Sequence, residues 1–238
     1  MRNELPPIPI RVETRAAPCP LPPSLYVFPD ARLADEHGLL GMGADFEPET
    51  IIAAYRAGAF PWPHPAEEYL WFSPDPRAIF EIDGLHVSRR LARTLRSGKF
   101  HATIDAAFER VIRACAQREE GTWITPALQE AYIHLHRLGY AHSVETWTAK
   151  GELAGGLYGI GLGAMFGAES MFYRVTDGSK AALVALMHHA RRIGLHFIDI
   201  QVATPHTLRL GAKEIPRDEY LERLKRALAV KVDWRAGA

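Results

Sequence analysis

The sequence has no charge of either sign to spare. Lys plus Arg and Asp plus Glu both number 28 in 238 residues, so the formal net charge is zero, and no overall field draws the chain to nucleic acid or to a membrane surface. Any basic surface has to be local. Cysteine is scarce: Cys19 and Cys115 stand far apart, without the close Cys or His spacing of a metal knuckle. A reduced, cytoplasmic protein is the simplest reading. Nowhere do about 18 consecutive apolar residues occur that could cross a bilayer, and Arg2 is followed by no apolar signal-peptide core. Secretion and membrane insertion are not expected.

Several chemical signatures are missing as well. The glycine-rich run GGLYGIGLGAMFG fits neither a dinucleotide nor a P-loop pattern, and a further strand follows it instead of a helix N-terminus. Its glycines are better suited to close approach of another backbone or a flat ligand. Ser170 is not in a nucleophile elbow. His134 and His136 diverge on a predicted helix, His188 and His189 are adjacent, and no H-E-x-x-H occurs, so no metal site is expected.

What is present is an α+β pattern. Pro6, Pro7, Pro9, Pro18, Pro20, Pro22, Pro23 and Pro29 crowd the start, blocking ladders and favouring an extended surface arm over residues 1–29. A helix begun at Asp45 to Glu49 and ending at Gly58 completes a small N-terminal module, taken to residue 75. Residues 76–238 form the larger domain. YLWFSPDPRAIFEIDGLHV reads as a strand pair, followed by two helices capped by Ser88 and Asp105 and a third capped by Thr125. AHSVETWTAKGELAGGLYGIGLGAMFGAESMFY reads as consecutive antiparallel strands. Then come a strong helix capped at Asp177 or Ser179, the strand LHFIDIQVA, and a last amphipathic helix. A strand, helix, strand order there implies a βαβ crossover.

In that strand, period two places Phe197, Asp199 and Gln201 on one face and Ile198, Ile200 and Val202 on the other. A carboxylate there needs a partner or a cleft. Asp199 either pairs with an arginine or serves a site. Glu169, in an apolar strand, either bridges to Arg174 or joins Asp199 in one pocket. Trp62, Trp71 and Trp123 are either core anchors or stacking walls for bases. Arg89, Arg90, Arg93, Arg96 and Lys99, with Arg110, Arg113 and Arg118 on the next helix, make either a solvated face or a phosphate-docking surface.

GLLGMGADFEPETIIAAYRAGAFPW, WFSPDPRAIF, REEGTWIT, AYIHLHRLGYAHSVETW, GGLYG, FGAESMF and IDIQVATPHTLRLGAKEIPR resemble, in order, the signature blocks of the bacterial leucyl/phenylalanyl-tRNA–protein transferases. The resemblance runs from about Gly38 to about Leu221. It implies a small N-terminal domain and a C-terminal domain of the acetyltransferase-like (GNAT-type) fold shared with peptidoglycan aminoacyl transferases. It implies transfer of Leu or Phe, and Met weakly, from charged tRNA to an N-terminal Arg or Lys of a protein, which marks that protein for degradation. No ATP, metal or coenzyme A is implied, and the segment YRVTDGSK lacks the pyrophosphate loop of an acetyl-coenzyme A enzyme. A monomer is expected.

Carried over by position, Asp199 and Gln201 match the family's catalytic pair and Glu169 the acid at the aminoacyl-adenosine end. Trp62 and Trp123 match the adenosine-contacting tryptophans, and Leu157, Phe166, Met171, Leu183, Leu186 and Ile198 would line the amino-acid pocket. The pattern often has aromatic residues where this chain has Leu186 and Ala190, which implies a wider or differently shaped pocket. It often has asparagine where this chain has Thr204. On this reading Asp199 orients the acceptor amine and receives its proton, Gln201 binds the reacting groups, Glu169 helps hold the donor's α-amino group, and the arginine segment holds the acceptor stem. Two rivals are a peptidoglycan-type transferase on the same fold and a non-catalytic tRNA-binding module.

Overall fold

A computed structural model describes residues 4–13, 17–64, 69–117 and 121–236. The chain forms two sheets. Leu39–Met42 (β2), Phe60–Pro61 (β3) and Leu70–Phe72 (β4) make a small antiparallel sheet in the order β2-β4-β3, with helix Pro48–Arg56 (α1) between β2 and β3. The large sheet uses Ile10–Val12 (β1), Arg77–Glu81 (β5), Phe100–Ile104 (β6), Ala141–Thr148 (β7), Leu153–Leu162 (β8), Met165–Tyr173 (β9), Phe197–Gln201 (β10) and Lys213–Ile215 (β11). Their order is β1-β6-β7-β8-β9-β10-β5-β11.

Two helical layers cover this sheet. Arg89–Arg96 (α2) and Gly178–Ile193 (α5) lie on one face, where Leu91, Leu95, Leu183 and Leu186 pack with Phe80, Leu157, Phe166 and Ile198. Phe108–Ala116 (α3), Pro126–Arg137 (α4), Arg217–Leu228 (α7) and α1 lie on the other, against Ile79, Tyr158, Met165 and Phe197. Alternation along each strand divides the two cores: Phe197 faces one and Ile198 the other. The strand, helix, strand crossover is the β9, α5, β10 unit, with β9 and β10 parallel.

Local chemistry accounts for several elements. In α4 the Thr125 hydroxyl accepts from the Leu128 N–H at 3.2 Å and Pro126 occupies the first turn, where its missing N–H costs nothing. The first turn of α5 lies so close to β8 that a Cβ on Gly155 would come within 2.6 Å of the Gly178 carbonyl carbon. Two glycines are needed at that contact, so close backbone approach accounts for this part of the glycine run.

The structure corrects four expectations. The Pro-rich start is not only a surface arm: β1 pairs in parallel with β6, and Leu5, Ile8 and Val12 are buried. The strand itself, Ile10-Arg11-Val12, holds no proline; Pro9 stands just before it and needs only its carbonyl, which accepts from the Ala102 N–H at 2.8 Å. The strands around Trp71 and Ile79 are not partners, since β4 belongs to the small sheet and β5 to the large one. Asp105 does not cap α3. It takes φ +63°, and its carboxylate accepts from the Ser143 N–H at 2.9 Å and pairs with His142 Nδ1 at 2.8 Å. Finally, β6, β11 and the short helix Pro205–Arg209 (α6) have no counterpart in the sequence reading.

Candidate functional site

The parallel pair at the centre of the large sheet does not stay paired. Phe197, Ile198 and Asp199 of β10 stand opposite Met165, Phe166 and Gly167 of β9. Beyond that point β9 continues along β8 to Tyr173, while β10 breaks register between Asp199 and Gln201. Gln201 takes the left-handed φ of +59°, uncommon for a residue with a side chain. The strands part, and the gap opens into a cavity of about 340 Å³.

Its walls are mostly apolar: Phe80, Leu157, Met171, Leu183 and Ile200, with Phe60, Trp62 and Trp123 as aromatic surfaces. Trp62 meets Phe72 edge-on at 5.6 Å and remains 40% exposed. The polar lining is Glu169, Ser170, Gln201, Thr204, His206 and Thr207.

Asp199 does not line this space. Period two puts Asp199 and Gln201 on one face, and the bulge breaks that period: Ile200, Gln201 and Val202 all reach the cavity, while Asp199 stays behind them with no exposure. Arg77 grips it from both sides, Nε to Oδ1 at 2.9 Å and Nη2 to Oδ2 at 2.7 Å. Tyr220 Oη donates to Oδ2 at 2.9 Å, and the Gln201 N–H donates to Oδ1 at 2.9 Å. The guanidinium lies between the rings of Tyr220 and Phe60, 4.2 and 4.9 Å from their centroids, and donates to Gly58 O at 3.1 Å. Burial alone would weaken its charge, but Asp199 raises the Arg77 pKa above its ordinary value. Of the two readings open for Asp199, pairing with an arginine is the one realised, and through Gln201 it also borders the site.

Glu169 does face the cavity, and its partner is not Arg174. Tyr55 Oη donates to Oε1 at 2.5 Å, Tyr132 Oη lies 2.7 Å from Tyr55 Oη, and Gln201 Nε2 donates to the same Oε1 at 3.2 Å. Burial pushes the Glu169 carboxyl up to about 8; the Tyr55 hydrogen bond opposes that rise and the Asp199 charge adds to it.

Other expected residues divide. Leu157, Met171, Leu183, Trp62 and Trp123 are on the cavity wall. Phe166, Leu186 and Ile198 are not. They are fully buried in the core behind it, as is Ala190, so the smaller side chains at 186 and 190 do not widen the cavity directly. Thr204 caps α6: its hydroxyl accepts from the Thr207 N–H at 3.1 Å, and Thr207 Oγ1 accepts from the Thr204 N–H at 2.8 Å. Asparagine is an equally good cap, which explains how Thr can stand there. Arg89, Arg90, Arg93, Arg96 and Lys99 are exposed, and Arg90 lies 3.5 Å from Asp177. Arg110 and Arg113 belong to α3 on the opposite face of the sheet, so the expected continuous basic surface is split. Arg118 lies outside the described residues. Among the described residues no group of three or more His, Cys, Asp or Glu side chains is placed to hold a metal, and no helix is long and apolar enough to cross a membrane.

Sequence reasoning missed Tyr55, Arg77, Tyr220, Phe60, Phe80 and His206. Arg77 had a signal: it is a lone cation in the run RAIF, the mirror image of the lone Asp199 in FIDIQ.

A buried ion pair under a splayed parallel strand pair, with an apolar cavity in the splay, fits a transferase that holds an acyl group beside its acceptor. The sequence matches the family model described as leucyl/phenylalanyl-tRNA protein transferase over residues 79–225, and the model of that family's N-terminal domain over residues 44–75. The protein of that name from Anaeromyxobacter dehalogenans strain 2CP-C is 51% identical over 205 residues, covering 84% of this chain and 88% of that one. The one from Yersinia enterocolitica is 50% identical over 202 residues, covering 84% and 85%, and the one from Magnetococcus marinus is 46% identical over 208 residues, covering 85% and 88%. Among solved structures, L-PGS from Bacillus licheniformis matches with a TM-score of 0.37 at 12% identity, covering 63% of this chain and 56% of that one, too distant to bear on function. The chain belongs to the leucyl/phenylalanyl-tRNA–protein transferase family.

Proposed function

We propose that the chain moves leucine or phenylalanine, and methionine weakly, from its tRNA ester to the α-amino group of a protein that begins with Arg or Lys, marking that protein for degradation. It would act in the cytoplasm as a monomer. Residues 1–75 would form the smaller domain and 76–238 the transferase domain, with β1 crossing back to the larger sheet. The observation that carries the reading is the cavity between β9 and β10, apolar along its walls, with Trp62 and Trp123 on its lining and the Glu169–Gln201 pair in it.

An aminoacyl ester is already activated, so the protein has to align it with an amine and move protons. The apolar wall receives the Leu or Phe side chain. One methylene there is worth only about 1–3 kcal/mol, so methionine is accepted too. Trp62 and Trp123 stack on the terminal adenosine, and α2, with Arg89, Arg90, Arg93, Arg96 and Lys99, holds phosphates of the acceptor stem. Gln201 donates from Nε2 to Glu169, which leaves its carbonyl oxygen for an N–H of the acceptor amine. Glu169 is largely protonated at neutral pH, and an ammonium group beside it would favour its ionised form. Asp199, with every oxygen engaged, holds the Gln201 backbone in its left-handed turn and acts as a positioning residue.

The test is transfer of labelled leucine and phenylalanine from their tRNAs to peptides beginning with Arg, Lys, Asp or Glu. Label on the Arg and Lys peptides alone is the expected result. Label on acidic peptides would overturn the acceptor rule, and no label on any peptide would overturn the reading.

A further inference from the structure

Aminolysis of the ester requires an acceptor ammonium group to lose a proton before its nitrogen can attack, and the geometry restricts which side chain takes it. Asp199 has no exposure and stands off the cavity wall, with both oxygens occupied by Arg77, Tyr220 and the Gln201 N–H. Gln201 has no basic lone pair of useful strength. Arg77 is committed to Asp199. Among the residues that line the cavity only Glu169 and His206 titrate near neutral pH. Glu169 is the poorer base there, because burial holds its carboxyl largely protonated and Tyr55 and Gln201 already donate to Oε1.

His206 differs on each count. It sits in the first turn of α6, directly after Pro205, and the reciprocal Thr204–Thr207 hydrogen bonds fix that turn. Its imidazole is half-buried and lines the same cavity as Gln201 and Glu169. Burial lowers its pKa, and the cations Lys180 of α5 and Arg209 of α6 lower it further; across the cavity the titrating neighbour is Glu169. The ring is therefore neutral, with a free-base nitrogen, at the pH where the acceptor amine, with a pKa of about 8, is mostly charged.

We propose that His206 is the proton acceptor of the transfer reaction, taking a proton from the acceptor's α-ammonium group so that the freed nitrogen lone pair can attack the aminoacyl ester. This rests on the function proposed above. The C–N bond forms at the ester carbonyl carbon, the C–O bond to the terminal ribose breaks, and the nitrogen goes from three protons to one. One of the two lost protons ends on the ribose oxygen and the other leaves through the imidazole to water.

The test is single-turnover transfer of labelled leucine from saturating leucyl-tRNA to an Arg-initiated peptide, with the full chain and its His206→Ala and His206→Gln variants, from pH 6 to 9. Both variants should melt at the wild-type temperature and bind leucyl-tRNA within about twofold, yet react roughly tenfold more slowly at pH 7, the ratio of charged to free amine there for a pKa of about 8. The deficit should narrow to less than about twofold at pH 9, where the amine is already free and needs no base; a merely structural role would give a deficit that does not change with pH. Added imidazole should restore part of the His206→Ala rate at pH 7. Either variant keeping more than half the wild-type rate at pH 7, a deficit constant with pH, or loss of tRNA binding in parallel with rate would overturn the inference. A wild-type chain that transfers nothing would instead overturn the function on which it rests.

Discussion

Arg77 and Asp199 meet end to end through two hydrogen bonds of 2.9 and 2.7 Å, and neither side chain is exposed. The pair links β5 to β10 at the point where β10 leaves β9. It fixes where the cavity starts, because the same Asp199 oxygen that binds Arg77 Nε also holds the N–H of Gln201.

Asp199→Asn should therefore act first on stability. Removing one partner leaves the Arg77 charge buried without a counterion, a loss of about 3–5 kcal/mol. Urea unfolding midpoints should drop accordingly. Arg77→Met with Asp199→Leu in one chain should recover much of that loss and none of the transfer rate. Wild-type stability in Asp199→Asn would contradict the pairing.

Glu169 makes stability depend on pH. Its folded pKa of about 8 lies above the ordinary 4.5, so between these values the folded chain keeps a proton that the unfolded chain has lost. Its contribution is complete below 4.5 and is lost as pH rises through 8. Glu169→Gln cannot titrate, and should gain in unfolding free energy relative to wild type from pH 5 to pH 8. A difference that does not change over that range would show an unperturbed carboxyl.

Trp62 and Trp123 offer a separable test, since Trp62 is partly exposed and contributes less to the core than the fully enclosed Trp71. Stacking on a base is worth about 1–3 kcal/mol, so Trp62→Ala should raise the Michaelis constant for charged tRNA roughly 5- to 150-fold and barely move the melting temperature. An unchanged constant would remove Trp62 from the donor site.

Much of this was legible in the sequence. The period-two runs and turns of β7 to β9, the cap and stop of α4, and the β9, α5, β10 crossover follow from local chemistry that tertiary packing does not override. Lone acids at Asp199 and Glu169 announced a polar centre in an apolar sheet. What could not be read is where the period breaks. A one-residue bulge at Gln201 sends neighbouring side chains to different environments, and nothing in IDIQVA marks it. Tyr55, Tyr132 and Tyr220 are equally silent: each looks like a core aromatic on its own helix, and only the fold brings their hydroxyls to Glu169 and Asp199. β1 is hidden because the prolines on either side argue against a strand, while the three residues that pair, Ile10 to Val12, are free of proline. The resemblance puts Phe166, Leu186 and Ile198 in the pocket by position, whereas the core behind its wall claims them.

The central claim is that the cavity between β9 and β10 holds the donor's side chain. Leu183 projects from α5 onto its wall and is nearly buried, so Leu183→Phe fills the space without adding charge. The ratio of kcat/KM for phenylalanyl-tRNA to that for leucyl-tRNA, measured with one Arg-initiated peptide, should fall at least tenfold in this variant, in line with about 1–3 kcal/mol for a change of this size. A ratio equal to that of the wild type would place the amino acid elsewhere.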